Sequence, residues 1–206
     1  MAESEEKQRR RQEILAAAFE VFAEKGFRGA SMLAVARRAH CSKETLYSWF
    51  GGKERLIEEM VLWKSGGLQA ALEQMIDTEP DDVAAVLNRF GILLMTTFVS
   101  SPAMLLNRIA IGEAGQAPEL GRIMIDKGRN RILPRFQQYL LAMRDKDLLT
   151  FDDVDRASDL FVGVLQGDLR IRVLMGTEPA PDQATIQARA AWATDCFMGL
   201  FGTRRT

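Results

Sequence analysis

Residues 31–56, SMLAVARRAHCSKETLYSWFGGKERL, decide how the whole chain is read. Leu33, Val35, Ala36 and Ala39 recur at spacings of three and four, which predicts a short helix over 32–39 with one buried stripe. Ser31 stands just ahead of it, where a hydroxyl accepts from an otherwise unpaired N–H of the first turn. His40, Cys41 and Ser42 break the pattern, Ser42 is placed to cap again, and a second helix over 43–50 puts Leu46 and Phe50 on one face. Two such helices joined by a tight turn bury no core of their own, and their geometry is that of a helix-turn-helix. With Leu46 and Phe50 turned inward, Lys43, Glu44, Thr45, Tyr47 and Ser48 stay outside or at the flank. Short polar tips around the front of a helix suit the base edges of a major groove. Arg28, Arg37, Arg38, Lys43, Lys53 and Arg55 surround this surface and supply attraction for phosphate.

Extended to residues 12–56, the stretch resembles the DNA-binding domain of the TetR family of bacterial transcriptional regulators. The resemblance is carried by ILAAAFEVFAEKGF, a serine before the second helix, and the pattern S-K-x-T-L-Y-x-x-F-x-x-K-x-x-L, together about a quarter of the chain. It implies that Ser31, Tyr47 and Lys53 bind phosphate while Ser42, Lys43, Thr45, Glu44 and Ser48 face base edges, with Arg28 completing the DNA-binding set. Two residues depart from the family pattern. His40 stands where the family usually has glycine in the turn, and histidine is among the residues that tolerate a left-handed conformation. Glu44 stands where a small residue is common; it repels phosphate but can accept from cytosine N4, which would shape operator choice.

At 206 residues the chain has room for one large or two small domains and needs no covalent staples. The net charge of −1 does not advertise nucleic acid, but its distribution does. Residues 7–53 hold ten basic and four acidic side chains, a charge of +6, and the remainder must be negative. Cys41 and Cys196 are the two cysteines and have no metal-like spacing, which points to a reduced, cytoplasmic chain. The start MAESEEKQRRR lacks the apolar core of a signal peptide, and runs such as GILLMTTFV are too short to span a bilayer, so no membrane partner is expected. Cys41 has two readings, a thiolate switch beside Arg37 and Arg38 or a small apolar filler in the turn.

Along the chain, residues 1–8 read as a disordered arm, and Arg9–Arg11 either lie on a solvated tail or reach the DNA backbone or minor groove. Ile14, Leu15, Ala18, Phe19, Val21 and Phe22 predict an amphipathic helix ended by Gly26 as a left-handed cap. From Lys53 one long helix follows, straight or bent at Gly66-Gly67. Residues 79–82 close it and cap a helix over 83–99; further helices are expected over 103–113, 119–143 with a kink at Pro134, about 152–175, and 182–201. No stretch alternates as a strand does, so the fold is expected to be all-α. It divides into a three-helix DNA-binding domain (1–56) and a larger helical ligand-binding and dimerisation domain (57–206). The latter, notably NRIAIGEAGQAPELGRIMIDKGRNRILPRFQQYL and LFVGVLQGDLRIRVLMG, resembles the AefR-like or AcrR-like branch of the same family.

No catalytic constellation is legible: His40 is the sole histidine, and no phosphate loop, nucleophile elbow or zinc motif is present. Asp152, Asp153, Asp155 and Asp159 crowd a helix start, where the macrodipole favours acids, so neither metal nor cofactor is expected. Trp63, Phe90, Met95, Phe98, Arg108, Phe136, Gln166 and Arg170 form the candidate ligand set, mixing adaptable apolar groups with polar ones on apolar helices. Arg108 can equally form an ion pair with Glu113. Phe161, Leu165, Leu174, Trp192, Phe197 and Leu200 exceed what one small bundle needs and are assigned to a two-fold dimer interface, which a palindromic site also requires. The function expected is a repressor that binds a double-stranded operator as a homodimer and is released by a small, largely apolar effector. The alternative is a helical interaction or carrier module without DNA binding.

Overall fold

The computed structural model describes residues 2–78 and 81–203, and every regular element within them is helical. The expected closing turn at Glu79 and Pro80 lies outside the described residues. The chain packs as two compact units, one of residues up to Ser65 together with Leu105–Gly128, the other of Gly66–Met104 with residues from Arg129 onward.

The first unit opens with α1 (Ala2–Gly29), interrupted at Gly26, whose φ of 66° takes the left-handed value expected of it. Residues 2–8 are helical rather than a disordered arm. Acids ahead of bases suit the helix dipole, and Glu6 lies 3.8 Å from Arg9 one turn on. Next come α2 (Met32–Arg38), capped by Ser31, and α3 (Lys43–Phe50), capped by Ser42. His40 in the turn between them has φ 50°, and Gly51 closes α3 at φ 71°. One prediction fails in α2. Leu33 is 44% exposed and Met32 is buried in its place, because the stripe facing α1 starts one residue earlier. α4 (Lys53–Thr78) runs as one helix through Gly66 and Gly67. Its first half joins Ile14, Leu15, Phe22, Val35, Leu46 and Phe50 in one core, which also takes Leu106, Ile109 and Leu120 from 105–128.

That segment comprises the second half of α6 (Ser101–Gly112), then α7 (Pro118–Ile123) and a π-turn (Met124–Arg129). Where one helix was predicted over 119–143, the chain adopts α7, the π-turn and α8 (Asn130–Asp145), with Pro134 inside α8. Ser65 Oγ donates to Lys127 O in the π-turn at 2.8 Å, so the irregular backbone has a partner from α4.

In the second unit α5 (Val83–Val99) is the central helix, packed on α9 (Val154–Gln166) and α11 (Gln183–Phe201). Gly91 permits the approach to α11: a Cβ there would sit 3.2 Å from Ala190 Cβ. Phe90, Phe136, Phe161 and Phe197 form a chain of rings at 4.7, 5.5 and 5.8 Å through the core. The helix predicted over 152–175 is divided by Gly167 into α9 and α10 (Leu169–Met175). Gly167 sits at φ 49°, and the Arg189 guanidinium fills the space a side chain would take, donating to Leu165 O and Gln166 O at 2.9 Å each. A Cβ at 167 would lie 2.6 Å from Arg189 Nη2. Gly167→Ala is therefore expected to cost about 1–3 kcal/mol, whereas Gly67→Ala, exposed on helical α4 with nothing near its Cβ, should stabilise by about 0.5–1 kcal/mol. Urea midpoints moving in opposite directions check both.

Candidate functional site

The outer face of α3 is the part of the first unit built for contact. Leu46 and Phe50 are buried, and Lys43, Glu44, Tyr47 and Ser48 are exposed on the other side. Thr45 is half-buried; its N–H donates to Ser42 Oγ at 2.9 Å, and the two hydroxyls lie 3.0 Å apart. Ser42 is thus engaged as the helix cap, with its oxygen still at the tip of the helix. Lys43 Nζ stands 5.6 Å over the Tyr47 ring, which keeps both side chains along one edge. Ser31 Oγ accepts from Ala34 N at 3.2 Å.

The Glu44 carboxyl lies below the usual glutamate range, first because its own backbone N–H donates to it and then because Ser42 does. A carboxylate therefore sits at the front of the outer face of α3.

Most of the surrounding cations are already paired. Arg28 Nε donates to both Glu113 carboxylate oxygens, at 2.9 and 3.1 Å. Arg38 is held by Glu20 at 2.8 Å and Glu24 at 2.8 Å, and Arg55 by Glu58 at 2.9 Å. Lys53, expected on phosphate, donates to Phe27 O at 2.5 Å and Ala30 O at 3.2 Å and stands 4.2 Å over the Phe27 ring. It closes the last turn of α1, leaving one of its three N–H groups. Arg37 is exposed on α2 and borders a groove with Lys25, Arg38 and His40. Sequence reasoning gave Arg37 no individual role, since pairing of its neighbours is a tertiary fact.

Cys41 is half-buried, and burial pushes its thiol up while Arg10 pulls weakly the other way. That direction runs against the thiolate a switch would need. Among the described residues no three His, Cys, Asp or Glu side chains gather as a metal site. The Asp152–Asp159 cluster disperses: Asp153 caps α9, Asp155 accepts from Gln137 and Asp159 pairs with Arg129.

The two remaining residue sets need correction. Phe161, Leu165 and Phe197, assigned to a dimer interface, are wholly buried in the second unit's own core and have no surface for a partner. Trp192 at 56% and Leu200 at 65% exposure are on the surface of α11, and Leu174 is half-buried. Of the ligand set, Phe90, Met95 and Phe136 are likewise core. Trp63 and Arg108 belong to the first unit, Trp63 lying 6.2 Å from Phe19. What the structure does bring together is Phe98, Gln166 and Arg170: the Arg170 guanidinium stands 4.8 Å over Phe98 and donates to Gln166 Oε1 at 3.1 Å. Burial pushes that guanidinium below its usual range.

Two expectations follow for DNA. Glu113→Gln removes the competitor for Arg28, so affinity for duplex should rise and its salt dependence steepen by about one phosphate contact. Glu44→Gln should raise affinity for all sequences by roughly threefold to tenfold and lessen discrimination between them. Fluorescence anisotropy across a salt series reads both.

Residues 14–60 match the family described as bacterial regulatory proteins, tetR family, and residues 85–203 match the AefR-like transcriptional repressor, C-terminal domain. Among curated proteins none matches the sequence. A TetR transcriptional regulator from Agrobacterium tumefaciens is 32% identical, over 94% of this chain and 95% of that one, with a TM-score of 0.75. The flavonoid-responsive regulator FrrA is 26% identical, over 96% and 100%, at 0.73. A TetR-family transcriptional regulator from Mesorhizobium loti MAFF303099 shares the fold at 24% identity, over 95% and 98%, with a TM-score of 0.83. With a capped helix-turn-helix at one end and an AefR-like domain over most of the rest, this chain belongs to the TetR family of transcriptional regulators.

Proposed function

We propose that the chain is a cytoplasmic, ligand-responsive repressor that binds a palindromic operator as a homodimer and is released by a small, largely apolar effector. In this reading residues 1–56 bind DNA and residues 57–206 bind ligand and dimerise. The observation that carries it is the outer face of α3, where Lys43, Tyr47 and Ser48 stand exposed on a helix whose other face is locked into a core. A palindrome is read by two such helices, one on each subunit. Trp192 and Leu200 on α11, with Ile171 and Met175 exposed on α10, supply apolar surface for a self-complementary contact. Among the described residues no single helix is long and apolar enough to cross a membrane.

For the effector, Phe98, Gln166 and Arg170 support a molecule with an apolar or aromatic body and one acidic or hydrogen-bonding end. The relationship to a regulator named for its response to flavonoids supports the same class. Release requires the effector to prefer the subunit arrangement that does not fit the operator spacing.

Sedimentation and gel retardation against fragments of the encoding genome test the proposal together. The wild type should sediment as a dimer and retain a palindromic fragment. Lys43→Ala with Tyr47→Phe should weaken retention at least about tenfold and leave the dimer intact. Trp192→Glu with Leu200→Glu should give a folded monomer that no longer retains the fragment. A wild-type monomer that retains nothing sinks the reading.

A further inference from the structure

Three consecutive arginines near the start of α1 invite a single role as phosphate ligands, yet the structure uses them differently. Arg9 is exposed beside Glu6. Arg10 turns inward: its Nη2 donates to Ala39 O at 2.5 Å and His40 O at 3.1 Å, while Nη1 is steadied by Glu13 at 2.7 Å. Arg11 reaches the opposite end of the recognition helix, where its guanidinium stands 4.7 Å over the Phe50 ring and pairs with Glu59 of α4 at 2.8 Å.

The carbonyls that Arg10 takes are those the turn leaves open. Ala36 O accepts from Cys41 N and Arg37 O from His40 N, so the turn closes its own bonds up to residue 37. Ala39 and His40 follow, His40 with a left-handed φ of 50°. A cation at a helix C-terminus is favoured by the dipole, and here one guanidinium nitrogen, Nη2, donates to both carbonyls while the other, Nη1, is held by Glu13. Arg11 in turn fixes the residue that ends α3. An eight-residue helix is thereby held at its entrance and its exit by adjacent residues of a neighbouring helix.

We propose that Arg10 and Arg11 are positioning residues, bracing α3 from the amino-terminal turns of α1, and that these turns govern DNA affinity through the pose of α3 rather than through phosphate. This inference rests on α3 being the helix that reads DNA, but the brace itself is measurable without DNA.

The experiment combines amide hydrogen exchange with binding to a duplex that the wild type selects from a randomised library. Four full-length variants are compared: Arg9→Ala, Arg10→Ala, Arg10→Lys and Arg11→Ala. Arg10→Lys keeps the charge but has a single nitrogen, which cannot hold both carbonyls and Glu13 as the two terminal nitrogens of Arg10 do. Exchange over residues 39–50 should quicken about tenfold in both Arg10 variants and in Arg11→Ala, and stay unchanged in Arg9→Ala. Affinity in those three should fall about tenfold with the slope of log affinity against log salt unaltered. Unchanged exchange overturns the proposal. So does an Arg10→Lys variant indistinguishable from wild type, or a slope that falls by about one for each arginine removed. If the wild type selects no duplex, the DNA reading fails, and the exchange data alone decide the brace.

Discussion

A helix of eight residues has no stability of its own in water, so the direction in which α3 points is set by the burial of Leu46 and Phe50. Each is worth about 1.5–3 kcal/mol in the core it shares with α1, α2 and α4, and turning α3 about its axis would expose both. The outer face is therefore fixed by the inner one. Lys43, Glu44, Tyr47 and Ser48 need no partners of their own to be presented together, because the backbone that carries them is anchored from behind.

The electrostatics of the first unit follow from the same economy of parts. Residues 7–53 carry a charge of +6, but the paired arginines do not form one uniform field. Arg38 is neutralised by two glutamates, Arg28 by Glu113, Arg11 by Glu59, and Lys53 is turned onto backbone carbonyls. Exposed ion pairs of this kind are each worth little for stability. Their effect is geometric, since they hold cations at set places while leaving Lys43 and Arg37 outward. The outward positive charge of this unit thus comes from a few residues, and the Glu44 carboxylate stands next to Lys43 on the same exposed face.

How much of this was legible from residues alone depended on how local the cause was. The helix-turn-helix, both serine caps, the left-handed Gly26 and His40, and the helix over 83–99 all arise from neighbours within a turn or two in sequence. Leu33 misled because a stripe that includes Met32 has nearly the same periodicity, and only the placement of α1 chooses between them. Gly167 looked like any helical glycine until Arg189, far along the chain, came to stand beside it. Phe161, Leu165 and Phe197 were read as surplus apolar surface, although the ring chain from Phe90 through Phe136 absorbs them. The arginines of α1 carried no sign of direction at all, because whether a basic side chain faces solvent or a carbonyl is decided by which turn it meets.

The least local feature bears most on how such a regulator would respond. Residues 85–203 match the AefR-like domain as a continuous block, yet Leu106, Ile109 and Leu120 from within it are buried in the same core as Leu46 and Phe50. Glu113 reaches Arg28 from that segment, and Lys127 meets both Glu58 and the hydroxyl of Ser65. Core side chains packed to native density do not slide past one another without cost, so a displacement of 105–128 must be followed by α1 and α4 or leave a void in the core they share. The division that sequence similarity draws between a DNA-binding and a regulatory domain is thus not the division drawn by packing.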